Sequence, residues 1–226
     1  MEAISDVKVL GSWASPFVMR AQIALNLKKV EYEFLQETIP IRSKSQLLLK
    51  SNPVYKKIPV LIHNDKPVCE SMIIVEYVDE AFTGPSILPT DPYDRALTRF
   101  WAVYVDSKWF GSLYGVVAGK TNEEKATALE GAISGLALLE EAFEKLSKGK
   151  GFFGGDTIGY LDIILGSCLG WLKMTERLSG VSSFIDETKL PGIYGWSERF
   201  SSDPAVKELM PDIEKLAELV KMLFAK

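Results

Sequence analysis

The hydrophobic pattern of the N-terminal third changes period several times. Val7–Leu10 forms a short apolar run that predicts a strand, and Gly11-Ser12 closes it. From Phe17 the apolar positions, with Ala21, Ala24 and Leu25, fall on one face of a helix. Pro16 suits the first helical position because its missing N–H would have no partner there. Ser15 is therefore the predicted N-cap of this helix.

The pattern then continues through a second strand, a short helix and a hairpin. Val30, Tyr32 and Phe34 alternate with glutamates as in a half-buried strand, and residues 47–49 predict a short helix. Two apolar runs flank Asn64-Asp65, a two-residue hairpin turn, and a helix opens at Glu70-Ser71. The order β-α-β-α-β-β-α predicts a small α/β layer with the thioredoxin-like arrangement.

A proline-rich connector separates this layer from a helical remainder. Asp91-Pro92 predicts a helix start, with a long helical segment reaching about Ala118. Thr121 and Glu124 form a capping box for a second long helix, and Asp162 takes the third position of a later one. Further helices are expected from Asp203-Pro204 and over residues 212–224. The expected domains are residues 1–83, a linker at 84–91, and an all-helical bundle domain at 92–226.

Composition excludes several classes of function. The chain has 226 residues, 47% of them hydrophobic, and a net charge of −4, which argues against disorder and against a nucleic-acid surface. The charged Met1–Asp6 segment is not a signal peptide, and no apolar run is long enough to span a membrane. Cys69 and Cys168 are far apart in apolar surroundings, which favours reduced core residues in a cytoplasmic protein over a disulfide or metal site.

Several short motifs have an ordinary structural explanation when each is considered alone. Ser15 could simply cap its helix, and Glu70-Ser71 could be an acidic first turn. Lys56-Lys57 could be a solvated pair, and Pro59 could be an ordinary trans proline at a strand edge. Their order and spacing along one chain favour a common binding function instead.

Taken together, these motifs resemble those of cytosolic glutathione transferases. The phrase Trp13-Ala14-Ser15-Pro16-Phe17 followed by Lys56-Lys57-Ile58-Pro59-Val60-Leu61 is similar to the plant tau class in particular. Asn52-Pro53, Glu70-Ser71, Phe100-Trp101-Ala102 and Phe153-Gly154-Gly155-Asp156 extend the resemblance over the whole chain.

The resemblance implies a glutathione site in the N-terminal domain, with glutathione as co-substrate and no metal. Pro59 would be cis, so that the backbone of Ile58 pairs with the cysteinyl moiety like an added strand. Ser71 would take the γ-glutamyl carboxylate and Glu70 the ammonium. Either Lys44 or Lys57 would hold the glycine carboxylate. The catalytic residue would be Ser15, whose hydroxyl would stabilise the glutathione thiolate.

The second substrate is expected to be a hydrophobic electrophile. Most aromatic residues at helical spacing belong to a core, but some of these resemble residues that line the acceptor site in the family. The expected acceptor-site residues are Trp13, Phe17, Phe110, Tyr114, Trp171 and Phe224. Near Tyr114 and Val117 the chain lacks the basic residue and the tryptophan that are common in the tau class, which indicates a narrower or altered acceptor range.

Other chemistries are poorly supported by the sequence. A Ser-His-Asp triad would need His63, the single histidine, and no serine lies in a G-x-S-x-G elbow. Thiol–disulfide exchange is disfavoured because position 15 is serine and no C-x-x-C occurs. The G-x-G-x-x-G match at residues 149–154 follows a helix, which indicates a loop between helices rather than a nucleotide site.

The sequence therefore predicts a homodimeric detoxification enzyme that conjugates glutathione to hydrophobic electrophiles, with peroxide reduction as a side activity. One alternative is a non-catalytic carrier of flavonoid- or hormone-like ligands, against which Ser15 argues because a carrier needs no thiolate stabiliser. Another is a transferase-like module of a larger assembly, which is disfavoured because no further domain follows the last helix.

Overall fold

The computed structural model describes residues 6–37 and 44–224. The chain divides into two compact units, Met1–Ile87 and Leu88–Lys226. The first unit contains, in chain order, β1 (Val7–Gly11), α1 (Pro16–Leu27), β2 (Glu33–Gln36), α2 (Gln46–Ser51), β3 (Val60–His63), β4 (Lys66–Cys69) and α3 (Ser71–Ala81). This is the predicted thioredoxin-like order, although β2 begins at Glu33, three residues later than the alternation at Val30 suggested.

The sheet of the first unit is mixed. Its strand order is β2-β1-β3-β4, with β1 parallel to β2 and the remaining neighbours antiparallel. The β3–β4 turn at Asn64 and Asp65 has positive φ at both residues, as a two-residue hairpin of type I′ requires. Helices α1 and α3 pack against each other, and a buried cluster of Leu10, Leu48 and Val60 lies between the sheet and α2.

The second unit is helical throughout its described elements. It contains α4 (Pro92–Tyr104), a π-helical turn (Val105–Trp109), α5 (Phe110–Ala118), α6 (Asn122–Leu146), α7 (Tyr160–Gly166), α8 (Leu169–Ser179), α9 (Pro191–Ser202), a 3₁₀ turn (Lys207–Leu209) and α10 (Ile213–Phe224). The predicted caps at Asp91 and Thr121 are present, the latter as a complete capping box with Glu124. None of the helices among the described residues is long and apolar enough to cross a bilayer.

Two predictions for the helical unit need correction. The long segment from Pro92 to Ala118 is interrupted by the π-helical turn, whose last residue, Trp109, is buried and donates from Nε1 to the Ala132 carbonyl at 3.1 Å. The helix expected from Asp203-Pro204 is instead a turn, because Asp203 ends α9 and its Oδ1 accepts the Ala205 N–H at 2.8 Å. The G-x-G-x-x-G segment lies in the loop between α6 and α7, as expected.

Candidate functional site

Three loops of the first unit meet at the same end of the strands of its sheet. Leu10, near the end of β1, pairs with Val60 at the start of β3, and Val60 pairs with Cys69 at the end of β4. Because the register brings these strand ends together, the segment that follows β1, the segment that precedes β3 and the segment that follows β4 meet there. These three segments contain Ser15, Ile58-Pro59 and Glu70-Ser71.

The loop after β1 holds Ser15 at the start of α1. Its backbone is extended, with φ −90° and ψ 118°, and its Oγ accepts the Val18 N–H at 3.3 Å. Among the described residues no acceptor takes the hydroxyl proton of Ser15. Gly11 lets α1 approach β1 closely, since a Cβ there would lie 2.4 Å from Val18 Cγ1. Ser15 therefore presents a donor proton at the positive end of a helix.

The loop before β3 is organised by Asn52, which is buried just after α2. Its side-chain Nδ2 donates to the Lys57 carbonyl at 2.9 Å, and its Oδ1 accepts the Tyr55 N–H at 3.1 Å. The Ile58–Pro59 peptide bond is cis, as the family resemblance implied. The sequence analysis used Asn52-Pro53 only as one of the motifs of the family resemblance, so the role of the Asn52 side chain in holding this loop was missed.

The loop after β4 places Glu70 and Ser71 at the start of α3. Glu70 has φ 72°, a left-handed conformation that costs free energy for a non-glycine residue, and it makes no side-chain capping bond to the helix. Its exposed carboxylate remains at the surface, while Ser71 is buried and accepts a hydrogen bond from Arg20 Nη1 at 3.1 Å. Such a strained residue at a helix start is a common feature of ligand-binding sites.

Arg20 is a charged residue that the sequence analysis overlooked. Its side chain is fully buried on α1, and its guanidinium carbon lies 4.8 Å from the ring centroid of Phe17. Together with the hydrogen bond to Ser71, this contact brings a permanent positive charge beneath the start of α3. The sequence does contain a signal for this role, because Arg20 lies between the apolar positions Phe17 and Ala21. A charge buried at such a position needs specific partners.

The two candidate lysines lie at the surface of the same unit. Lys44 and Lys57 are both exposed. Ser45, the residue after Lys44, is held by Glu37, whose carboxylate accepts hydrogen bonds from the backbone N–H and the hydroxyl of Ser45. The Glu37 N–H in turn donates to the Gly11 carbonyl at 2.7 Å, so Lys44 is held close to the end of β1.

The aromatic residues predicted for the acceptor site are found in both units. In the helical unit the ring of Trp171 lies 5.9 Å from that of Phe110 and 6.1 Å from that of Tyr114, so these three form one cluster. In the first unit Trp13 is 42% exposed and Phe17 is half-buried beside Arg20. The side chain of Phe224 lies outside the described residues.

Groups that would support other chemistries are placed unfavourably. His63 is at the opposite end of β3 from Val60, and its Nδ1 is 2.8 Å from the Tyr77 hydroxyl. Burial raises the pKa of the Cys69 thiol, which makes it a poor nucleophile at neutral pH. Within residues 6–37 and 44–224 no group of three or more histidines, cysteines and carboxylates could hold a metal ion.

Comparisons with known proteins identify the family of the chain. Residues 5–80 match the family model "Glutathione S-transferase, N-terminal domain", and residues 122–199 match the model of the C-terminal domain. Glutathione S-transferase U18 of Arabidopsis thaliana is 58% identical over 226 residues, covering 99% of this chain and 98% of that relative. Glutathione S-transferase U17 of the same plant is 59% identical with the same coverage.

Solved structures give the same result. The tau class glutathione S-transferase MiGSTU from mango, Mangifera indica, superposes with a TM-score of 0.92 at 60% identity, covering 96% of this chain and 98% of that one. Rice GST1 (OsGSTU1), solved in complex with glutathione, has a TM-score of 0.86 at 35% identity, with 98% and 97% coverage. The chain therefore belongs to the tau class of the glutathione S-transferases, enzymes that transfer their co-substrate glutathione.

Proposed function

We propose that Ser15 is the catalytic residue of this transferase and that it acts by donating its hydroxyl proton to the sulfur of bound glutathione. The supporting observation is that Ser15 Oγ is already oriented by the Val18 N–H, which leaves its O–H for a ligand at the N-terminus of α1. The serine keeps its own proton in the hydrogen bond, so no general base is required to activate it.

The expected effect on the thiol follows from ordinary magnitudes. A free thiol has a pKa of about 8.5, so only a few per cent is ionised at neutral pH. A hydrogen bond to a charged group contributes about 1.5–3 kcal/mol, and a helix N-terminus about 0.3–1 kcal/mol. Since each pKa unit corresponds to about 1.36 kcal/mol, the hydrogen bond from Ser15 alone should lower the pKa of the bound thiol by about one to two units, and the helix N-terminus should add less than about one unit.

The other two loops at this end of the sheet would bind the rest of the glutathione tripeptide. We assign the γ-glutamyl carboxylate to Ser71, whose hydroxyl Arg20 holds, and the ammonium to Glu70. The backbone of Ile58, before the cis Pro59, would pair with the cysteinyl moiety. The glycine carboxylate is assigned to Lys44 or Lys57, both of which are exposed near these loops.

The acceptor would be an apolar electrophile. This assignment is supported by the aromatic cluster of Phe110, Tyr114 and Trp171, in which Tyr114 is 39% exposed. We propose the same role for Trp13 and Phe17. In this scheme residues 1–83 bind glutathione, residues 84–91 link the domains, and residues 92–226 provide most of the acceptor site.

The reaction is a nucleophilic substitution or addition. With a chlorodinitrobenzene, the thiolate sulfur forms a bond to the ring carbon, chloride leaves with its electron pair, and the thiol proton passes to solvent. With an organic peroxide, the thiolate would attack the terminal peroxide oxygen, the O–O bond would break, and the alkoxide would leave as the alcohol after taking up a proton. The glutathione sulfenic acid so formed would condense with the thiol of a second glutathione to give the disulfide and water. The carrier alternative receives no support from the comparisons, in which the relatives are named as transferases.

A homodimer and a cytoplasmic location are proposed with the function. Both follow from the family resemblance, and the free state of Cys69 and Cys168 is compatible with a reducing compartment. Light scattering of the purified protein tests the dimer, and imaging of a fluorescent fusion in cells tests the location.

Ser15→Ala tests the proposed role of the serine. We expect about 8- to 25-fold lower turnover with a chlorodinitrobenzene at pH 7, because a rise of the thiol pKa from about 6.5–7.5 to about 8.5 lowers the ionised fraction from about 24–76% to about 3%. Glutathione should still bind. Thr121→Ala is a matched control because it removes the N-cap of a helix in the other unit. The Thr121 hydroxyl accepts the Glu124 N–H at 3.1 Å. Unchanged turnover in Ser15→Ala would overturn the assignment.

A further inference from the structure

Glu37 is a buried carboxylate to which the proposed reaction assigns no role. It directly follows β2 and is 3% exposed. Its N–H donates to the Gly11 carbonyl at 2.7 Å, and its carbonyl accepts a hydrogen bond from Gln36 Nε2 at 2.7 Å. The backbone of Glu37 is therefore fixed at the end of β1, where the segment that contains Ser15 begins.

The side chain of Glu37 holds Ser45, the N-cap residue of α2. One carboxylate oxygen accepts the Ser45 hydroxyl proton, and the other accepts the Ser45 N–H at 3.3 Å. The Oγ of Ser45 in turn accepts the Leu48 N–H at 3.0 Å. A carboxylate buried to this extent needs hydrogen-bond donors, and Ser45 supplies two of them.

The capping of α2 does not by itself require this carboxylate. An N-cap needs only a side-chain oxygen that accepts an N–H of the first turn, which the hydroxyl of Ser45 already provides. Leu48 anchors the helix separately, because it is fully buried in one cluster with Leu10 and Val60. The contact with Glu37 adds a second constraint, which ties the backbone before the helix to the end of β2.

Lys44 is the residue whose position this constraint determines. It is exposed and directly precedes Ser45, so the N–H that Glu37 accepts belongs to the Lys44–Ser45 peptide group itself. A surface ion pair is weak when flexible groups must be ordered to form it. Fixing the lysine backbone before the ligand arrives removes part of that cost.

We propose that Glu37 is a positioning residue that fixes Lys44 for the glycine carboxylate of glutathione and so sets the preference of the site for a free carboxylate at this end. The proposal rests on the function proposed above, in which Lys44 or Lys57 binds that carboxylate. It favours Lys44, because Glu37 holds the backbone of this lysine. Glu37 acts through Ser45 and leaves the thiol of glutathione unaffected.

Calorimetric titration with two ligands tests this role. Glutathione is compared with glutathione amide, in which a carboxamide of nearly the same shape replaces the glycine carboxylate. We expect the wild type to bind glutathione about three- to fivefold more tightly than the amide, as for an exposed ion pair. Glu37→Gln leaves one donor of Ser45 without a carboxylate oxygen. We expect it to bind glutathione about threefold more weakly and the amide with less than about twofold change.

Further variants separate the position of the lysine from the stability of the fold. Glu33→Gln removes an exposed carboxylate of the same strand and should change the affinity for neither ligand. Ser45→Ala removes the hydroxyl that Glu37 accepts and should also weaken glutathione, whereas Ser45→Thr keeps a hydroxyl and should restore the affinity. In the Glu37→Gln background, Lys44→Gln should weaken glutathione by less than about twofold more, because the two changes remove one shared interaction.

Steady-state kinetics provide a second readout. With a chlorodinitrobenzene, Glu37→Gln should raise the KM for glutathione about threefold and leave kcat within about twofold of the wild type, since Ser15 is unchanged. A fall in kcat at constant KM would contradict the proposed role.

The binding results distinguish this inference from the proposed function. Equal affinity of the wild type for glutathione and its amide would refute the lysine-bound glycine carboxylate, and the role of Glu37 with it. A wild-type preference for glutathione that Glu37→Gln retains in full would overturn the role of Glu37 alone. Equal weakening of both ligands in Glu37→Gln would show that Glu37 only maintains the fold, which would also overturn it.

Discussion

Replacing Asp162 by alanine removes a fully buried carboxylate that four N–H groups share. Its Oδ1 accepts from the Phe153 N–H at 2.8 Å and from Trp196 Nε1 at 2.7 Å. Its Oδ2 accepts from the N–H groups of Gly154 and Gly159, both at 2.8 Å. The carboxylate thus joins the start of α7 to the preceding loop and to α9.

The size of the effect follows from these contacts. Each buried donor left without an acceptor costs about 1–3 kcal/mol. Four such donors lose their acceptor, so we expect Asp162→Ala to lower the free energy of unfolding by at least about 4 kcal/mol.

Glu124→Ala provides the matched control because Glu124 has the same capping role in an exposed box. Its carboxylate accepts from the N–H groups of Lys120 and Thr121, where water can replace it. We expect this substitution to cost about 1 kcal/mol. Urea unfolding followed by circular dichroism measures both variants. A loss below about 1 kcal/mol in Asp162→Ala, or equal losses in the two variants, would refute the reasoning.

Two further predictions concern the buried carboxylate and the glutathione site. Because the pKa of Asp162 is raised in the folded state, its protonation contributes stability that is full below pH about 4 and is lost as the pH rises through about 6. The stability advantage of the wild type over Asp162→Asn should therefore fall by about 2.4 kcal/mol between pH 4 and 7, and a constant difference in urea titrations would contradict this. Ser71→Ala removes the hydroxyl that Arg20 holds at 3.1 Å, so we expect the KM for glutathione to rise about tenfold with little change in kcat. Steady-state kinetics with varied glutathione check this, and an unchanged KM would exclude Ser71 from the site.

Much of the fold follows from local sequence signals. The caps at Ser15, Asp91 and Thr121 and the Asn64-Asp65 turn are short-range features that depend on neighbouring residues alone, and all are present as predicted. The fold was predicted from such signals and the family from the resemblance of its motifs, and the comparisons with known proteins confirm both.

The features that sequence reasoning missed depend on distant contacts. The π-helical turn ends at Trp109, which packs so closely on α6 that a Cβ on Gly135 would lie 2.5 Å from the indole. Arg20 gains its role from Ser71, which is far away along the chain. Glu37 and Asn52 hold loops through hydrogen bonds whose partners no periodicity reveals. Such contacts become visible only when the strands and helices are assembled.

The ionisation of bound glutathione tests the role of Ser15 most directly. The ultraviolet absorbance of the thiolate is titrated against pH for glutathione bound to the wild type and to Ser15→Ala. The account predicts a midpoint at least about one unit below the free value of about 8.5 in the wild type, and a midpoint about one to two units higher than that of the wild type in the variant. Equal midpoints in the two proteins would contradict it.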